Sequence, residues 1–132
     1  MNTLLETQLK SAKKAARLLK NMPTCTKNQA LEKIADALIA RSDEILEANK
    51  KDMAHAKEVN MTKAMQDRLL FTHERIVGVS DGVKNVATLP DPIGEVMESW
   101  TRPNGLEISK VRVPIGVFGI IYEARPNVTV DI

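Results

Sequence analysis

The chain has 132 residues and a formal net charge of +2, with 43% hydrophobic, 27% charged and 3% aromatic residues. That charge is too small to imply a nucleic-acid partner, and the aromatics are too few for base-stacking surfaces. The charged N-terminus has no signal-peptide core, and no segment approaches the roughly 20 apolar residues of a membrane helix. One cysteine, Cys25, excludes an internal disulfide and fits a reducing cytoplasm.

The first eighty-odd residues read as helices with clear stops. Thr3-Leu-Leu-Glu6 forms a capping box, followed at helical spacing by Leu5, Leu9, Ala12, Ala16 and Leu19, and Pro23 ends that helix. Thr26-Lys-Asn-Gln29 forms a second box leading into Leu31, Ile34, Ala35, Leu38 and Ile39. Ser42 can cap a third helix, with Asp43 and Glu44 suiting its positive end and Ile45, Leu46, Met53 and Ala56 marking its inner side. A short fourth helix is predicted near residues 62–70. Thr72 starts a fifth, carrying Ile76, Val79, Val83 and Val86, which Leu89-Pro-Asp-Pro-Ile-Gly94 breaks. The basic excess of this half is interspersed with acids and reads as a solvated face.

The character then changes. Residues 95–101 and 106–113 read as two strands joined by Arg102-Pro-Asn-Gly105, because Asn-Gly tolerates positive φ in a hairpin turn. So polar a hairpin is marginal alone and is expected to lie on another surface or subunit. Val117–Tyr122 is a continuous apolar run of the kind buried on both faces of a parallel sheet. Ligands of such sheets bind just beyond the carboxyl ends of the strands, which here means Glu123, Ala124, Arg125, Pro126 and Asn127. The chain stops at Ile132, about where the next helix should begin, so it is expected to be part of a larger protein. Residues 1–132 are thus expected to be an incomplete cofactor-binding domain. Its parts are a helical layer (1–88), a hairpin oligomerisation arm (95–113), and a first sheet strand with the start of the next helix (114–132).

The sequence resembles the N-terminal part of the γ-glutamyl phosphate reductases (glutamate-5-semialdehyde dehydrogenases), of the aldehyde dehydrogenase superfamily. The residues that carry the resemblance are Asp67-Arg-Leu-Leu70, Leu89-Pro-Asp-Pro-Ile-Gly94, Asn104-Gly-Leu106 and the block Arg112–Asp131, with Ala48-Asn-Lys-Lys-Asp52 before them. It implies an α/β fold, with the helical layer and hairpin followed by the first strand of a Rossmann-like parallel sheet. It also implies NADPH-dependent reduction of L-glutamyl 5-phosphate to glutamate 5-semialdehyde and phosphate in proline biosynthesis. The enzyme would be a cytoplasmic homo-oligomer. Two rival readings are a non-catalytic oligomerisation or scaffolding fragment and the reductase part of a bifunctional pyrroline-5-carboxylate synthase. Met1 directly before the first helix leans towards a stand-alone enzyme.

Family members are several times longer, and their nucleophilic cysteine lies beyond Ile132. This chain alone is therefore expected to be inactive. In the superfamily a Pro-Trp-Asn loop follows the equivalent strand, and its Asn helps stabilise the oxyanion. Alignment on Gly116 and Gly119 puts Glu123-Ala124-Arg125 there, so the oxyanion donor is Arg125, or Asn127 if a gap of two is allowed. The fork of Arg125 suits phosphate or carboxylate oxygens, and Pro126 keeps it out of the helical region. The plain alternative is a surface pair with Glu123. Asn127 or Thr129 can cap the next helix.

By resemblance, Ile121, Tyr122, Glu123 and Ala124 border the cofactor, NADP; Ile121 and Tyr122 read equally well as core. Gly116 and Gly119 form no dinucleotide fingerprint and read as close backbone packing. Cys25 reads as an interhelical residue rather than the nucleophile. His55 and His73 fit exposed helix positions without metal-ligand spacing, and Met53, Met61 and Met65 read as gap-filling core.

Overall fold

The computed structural model describes residues 3–132, so Met1 and any meaning of its position lie outside the described residues. Six helices and one hairpin follow in the order α1 (Thr3–Leu19), α2 (Thr24–Ala40), α3 (Ser42–Glu58), α4 (Lys63–Leu69), α5 (His73–Thr88), β1 (Val96–Thr101), β2 (Glu107–Val111) and α6 (Val128–Asp131). They form two compact units, residues 1–24 with 90–119 and residues 25–89 with 120–132.

The helical unit packs a small core of Ala35, Ala56, Phe71, Ile76, Val83 and Ala87. Alanine at Ala35 and Ala56 lets helices approach closely. Ser80, also buried, donates its hydroxyl to the Ala35 carbonyl of α2 at 3.1 Å, while Lys84 pairs with Asp36 at 3.2 Å. Two expected starts stand. Thr62 accepts from Met65 N ahead of α4, and Thr72 accepts from Arg75 N ahead of α5. Others shift. α2 begins at Thr24, so Thr26 lies inside it, and Cys25 is an exposed residue of its first turn rather than of a connection. Arg41 occupies the cap position of α3, and Ser42 is its first, buried residue. On α5 the buried stripe is Ile76, Ser80, Val83 and Ala87, leaving Val86 half-exposed.

In the other unit, β1 and β2 pair antiparallel from Val96↔Val111 to Thr101↔Glu107, with a bulge between Val96 and Glu98. Arg112 closes the base through an ion pair to Glu95 (2.6 Å) and a backbone bond to the Glu95 carbonyl. The turn is not the two-residue form with both residues at positive φ. Only Gly105 is left-handed (φ +83°), while Asn104 accepts from Leu106 N at 3.2 Å. Both faces of the hairpin are open: every β1 residue is exposed.

Residues 112–123 belong to no ladder or helix. Val117, Phe118, Ile120 and Ile121 are exposed, Ile121 completely. The apolar run is therefore not a buried strand among the described residues: a strand needs a neighbour to satisfy its amides, and none pairs with it. A side-chain carbon added at Gly116 or Gly119 would meet no atom of the described residues within 4 Å. Gly116 is needed for its φ of +120°, a region closed to most side chains.

Candidate functional site

The helical unit contains a cleft of about 980 Å³. One wall is α5, where Gly78 and Gly82 lower the surface between Val79 and Val86. Leu31 of α2, the stretch from Asp67 to Phe71 and the segment from Arg125 to Ile132 complete the lining. Arg68, Arg75 and Arg125 are its cations, and Asp67 and Asp131 the acidic side chains among its lining residues.

The Asp67–Phe71 turn is held at two points. Asn49 of α3 is buried, donates to the Leu69 carbonyl at 2.9 Å, and accepts from Phe71 N at 2.7 Å. It satisfies the carbonyl of the last residue of α4 and an amide of the connection to α5. Arg75 then donates to the carbonyls of Asp67 and Leu70 and to the Asp67 carboxylate at 3.0 Å. At the opposite wall Asn127 donates to the Asp131 carboxylate at 2.8 Å. Both acids are thus engaged. Arg68 and Arg125 have no ion pair or hydrogen bond from their guanidinium groups to any described residue.

The expected site residues separate into two groups. Arg125 and Asn127 line the cleft; Ile121, Tyr122, Glu123 and Ala124 do not. Arg125 stands outside α6, as Pro126 requires, and Ala124 before it bends the chain with φ +51°, a left-handed turn unusual for alanine. Asn127 precedes α6 without capping it, because its amide is turned to Asp131. Thr129 lies within the helix and bonds the Tyr122 hydroxyl at 2.7 Å. Ile121, Tyr122 and Glu123 are exposed and Ala124 is half-buried. Arg68 and Asn49 were missed as site components. The one sequence signal was the polar Asn49 on the inner stripe of α3.

Hydrogen bonding and charge from Arg41 hold the Glu44 carboxyl below its ordinary value and raise Arg41, and Lys50 likewise lowers Glu47. No three His, Cys, Asp or Glu side chains gather into a metal-binding cluster among the described residues, and no helix there is long and apolar enough to cross a membrane.

No protein-family model matches the chain. Solved reductase structures do. The backbone superimposes on γ-glutamyl phosphate reductase from Thermotoga maritima with a TM-score of 0.92 at 46% identity, covering 96% of this chain and 30% of that one. For the Saccharomyces cerevisiae enzyme of the same name the values are 0.87, 38%, 92% and 31%. The fold is therefore that of the N-terminal part of an acyl-phosphate reductase. The γ-glutamyl phosphate reductase of Geobacillus sp. (strain WCH70) is 53% identical over 99% of this chain, and that of Moorella thermoacetica is 53% identical over the same share. The chain is thus similar, over nearly its whole length, to the N-terminal part of γ-glutamyl phosphate reductases. It spans about a third of the length of these relatives, 32% in both cases.

Proposed function

We propose that this chain serves, within a longer reductase, the NADPH-dependent conversion of L-glutamyl 5-phosphate to glutamate 5-semialdehyde and phosphate in proline biosynthesis. The observation that carries this reading is the free guanidinium of Arg125, which borders a cleft within a chain more than half identical to γ-glutamyl phosphate reductases. L-glutamyl 5-phosphate carries an anionic phosphoryl group at one end and a free carboxylate at the other, and attack on its acyl carbonyl builds a further oxyanion. Fixed cationic donors bind the first and stabilise the second. In this reading Arg125 takes that role, with Asn127 as the alternative oxyanion donor.

In this reading the nucleophilic thiol comes from outside residues 1–132. Cys25 is exposed in α2, on residues that do not border the cleft. NADPH supplies the hydride when bound; the proposed contribution of this chain is to bind and orient the anion. The exposed single thiol suits a cytoplasmic setting, and the open faces of the hairpin suit its use as an arm joining copies of the enzyme.

The test is a hybrid in which residues 1–132 replace the matching segment of the Geobacillus reductase. NADP-dependent oxidation of glutamate semialdehyde with phosphate should proceed at a rate close to that of the parent. A folded hybrid of the parent's oligomeric state without activity would contradict the catalytic reading and favour a scaffolding role.

A further inference from the structure

The reading above gives Arg68 no task. Its neighbours explain where it is but not why it is charged. Arg75 and Asn49 fix the backbone on either side of it, through the Asp67 and Leu70 carbonyls and through Leu69 and Phe71. Arg68 therefore projects from an anchored turn rather than a loose one, and it borders the same cleft as Arg125. Of the acids lining the cleft, Asp67 is paired with Arg75, and Asp131 accepts from the Asn127 amide and makes no ion pair with either arginine. Each of the two guanidinium groups bordering this space carries the planar fork that matches two oxygens of a phosphate or carboxylate.

We propose that Arg68 and Arg125 together form a two-point oxyanion site that takes one anionic end of the substrate, the phosphoryl group or the free carboxylate. The proposal rests on the functional reading above and adds a second binding residue to it. Arg68 is a binding residue here, contributed by α4, while Arg75 and Asn49 position it.

The 132-residue chain, labelled with nitrogen-15, provides the test. The arginine side-chain Nε–Hε resonances are followed during titration with inorganic phosphate and, separately, with glutamate. Arg68 and Arg125 should shift together with a single midpoint, and Arg17, exposed on α1, should move only at higher concentration. Loss of one charge-assisted contact in Arg68→Gln should weaken the Arg125 response about tenfold. Arg68→Lys, which keeps the charge and loses the fork, should weaken it by a smaller factor. The amide spectrum of each variant reports its folding, and Arg68→Lys supplies the comparison if Arg68→Gln does not fold. Saturation by phosphate assigns the phosphoryl end to the site and saturation by glutamate the carboxylate end; both support it. If Arg125 responds alone and neither Arg68 variant changes it, the two-point site is wrong and the role of Arg125 survives. If neither arginine responds before Arg17 does, both are wrong, whatever the hybrid enzyme shows of the overall reaction.

Discussion

Replacing Asn49 by alanine should unfasten the turn that carries Arg68. The side chain makes two bonds to the chain between α4 and α5, donating to Leu69 O at 2.9 Å and accepting from Phe71 N at 2.7 Å. Phe71 is itself buried, so its amide would be left without water or a partner. An orphaned buried group costs about 1–3 kcal/mol, and two of them about 2–5 kcal/mol when the carbonyl is partly rehydrated. Against the roughly 5–15 kcal/mol that holds a domain together, that is a large share. Asn49→Asp separates the two bonds. It keeps the acceptor for Phe71 N and, when ionised, loses the donor to Leu69 O. Burial should raise the pKa of the introduced carboxyl above its unfolded value, so the variant should be more stable at acid pH and lose that stability as pH rises through the folded pKa. Urea unfolding followed by far-ultraviolet circular dichroism measures the cost, and amide hydrogen exchange at Phe71 locates it. The Asn49→Ala midpoint should fall with an unchanged slope, and Phe71 N–H should lose protection. A loss within about 0.5 kcal/mol, the range of an ordinary surface substitution, would refute the role given to Asn49.

Ile76→Ala, in the fully buried stripe of α5, should cost about 2–5 kcal/mol in the same urea assay; a smaller loss would mean that the core is not where Ile76 marks it. The 132-residue chain alone should show no NADP-dependent oxidation of glutamate semialdehyde above background, and a rate abolished by Cys25→Ser would overturn the assignment of the thiol to another segment. Val111→Lys, at the register pair with Val96, should shift the hybrid enzyme towards monomer by light scattering; an unchanged oligomer would remove the hairpin from the association surface. Arg41→Gln should return the midpoint of Glu44, followed by carbon-13 resonance, upward to the ordinary carboxyl range, since the pairing with Arg41 is the main cause of its depression. No change would mean that the pair does not form in solution.

Local chemistry was legible where it acts over one or two turns. The Thr62 and Thr72 caps needed only a hydroxyl three residues before an amide, and the Asn104-Gly105 turn only a residue at ease with positive φ. The cap of α3 was misplaced by one residue and that of α2 by three, because a hydroxyl residue near a boundary (Ser42; Thr24 and Thr26) does not by itself mark the cap and tertiary packing chooses the first turn. The run 117–122 was legible as apolar but not as to its neighbour, since a ladder requires a second strand that no described residue supplies. Arg125 and Asn127 stood out because the motif around them is continuous. Arg68 did not, since its relation to Arg125 exists only once α4, α5 and the terminal segment are folded together. Asn49 was quoted in a motif without a role, because its two partners lie some twenty residues away.

The most direct measurement is kcat/KM of Arg125→Lys in the hybrid enzyme, with glutamate semialdehyde and phosphate each varied. The substitution keeps the charge and removes the fork, so loss of a charge-assisted contact to the anion or the oxyanion should cost about 2–4 kcal/mol of transition-state stabilisation. That corresponds to a fall of roughly 30- to 1000-fold in kcat/KM, with the melting temperature nearly unchanged because Arg125 makes no hydrogen bond or ion pair through its side chain to any described residue. A kcat/KM close to that of the unmodified hybrid would remove Arg125 from the site and leave Asn127 as the donor.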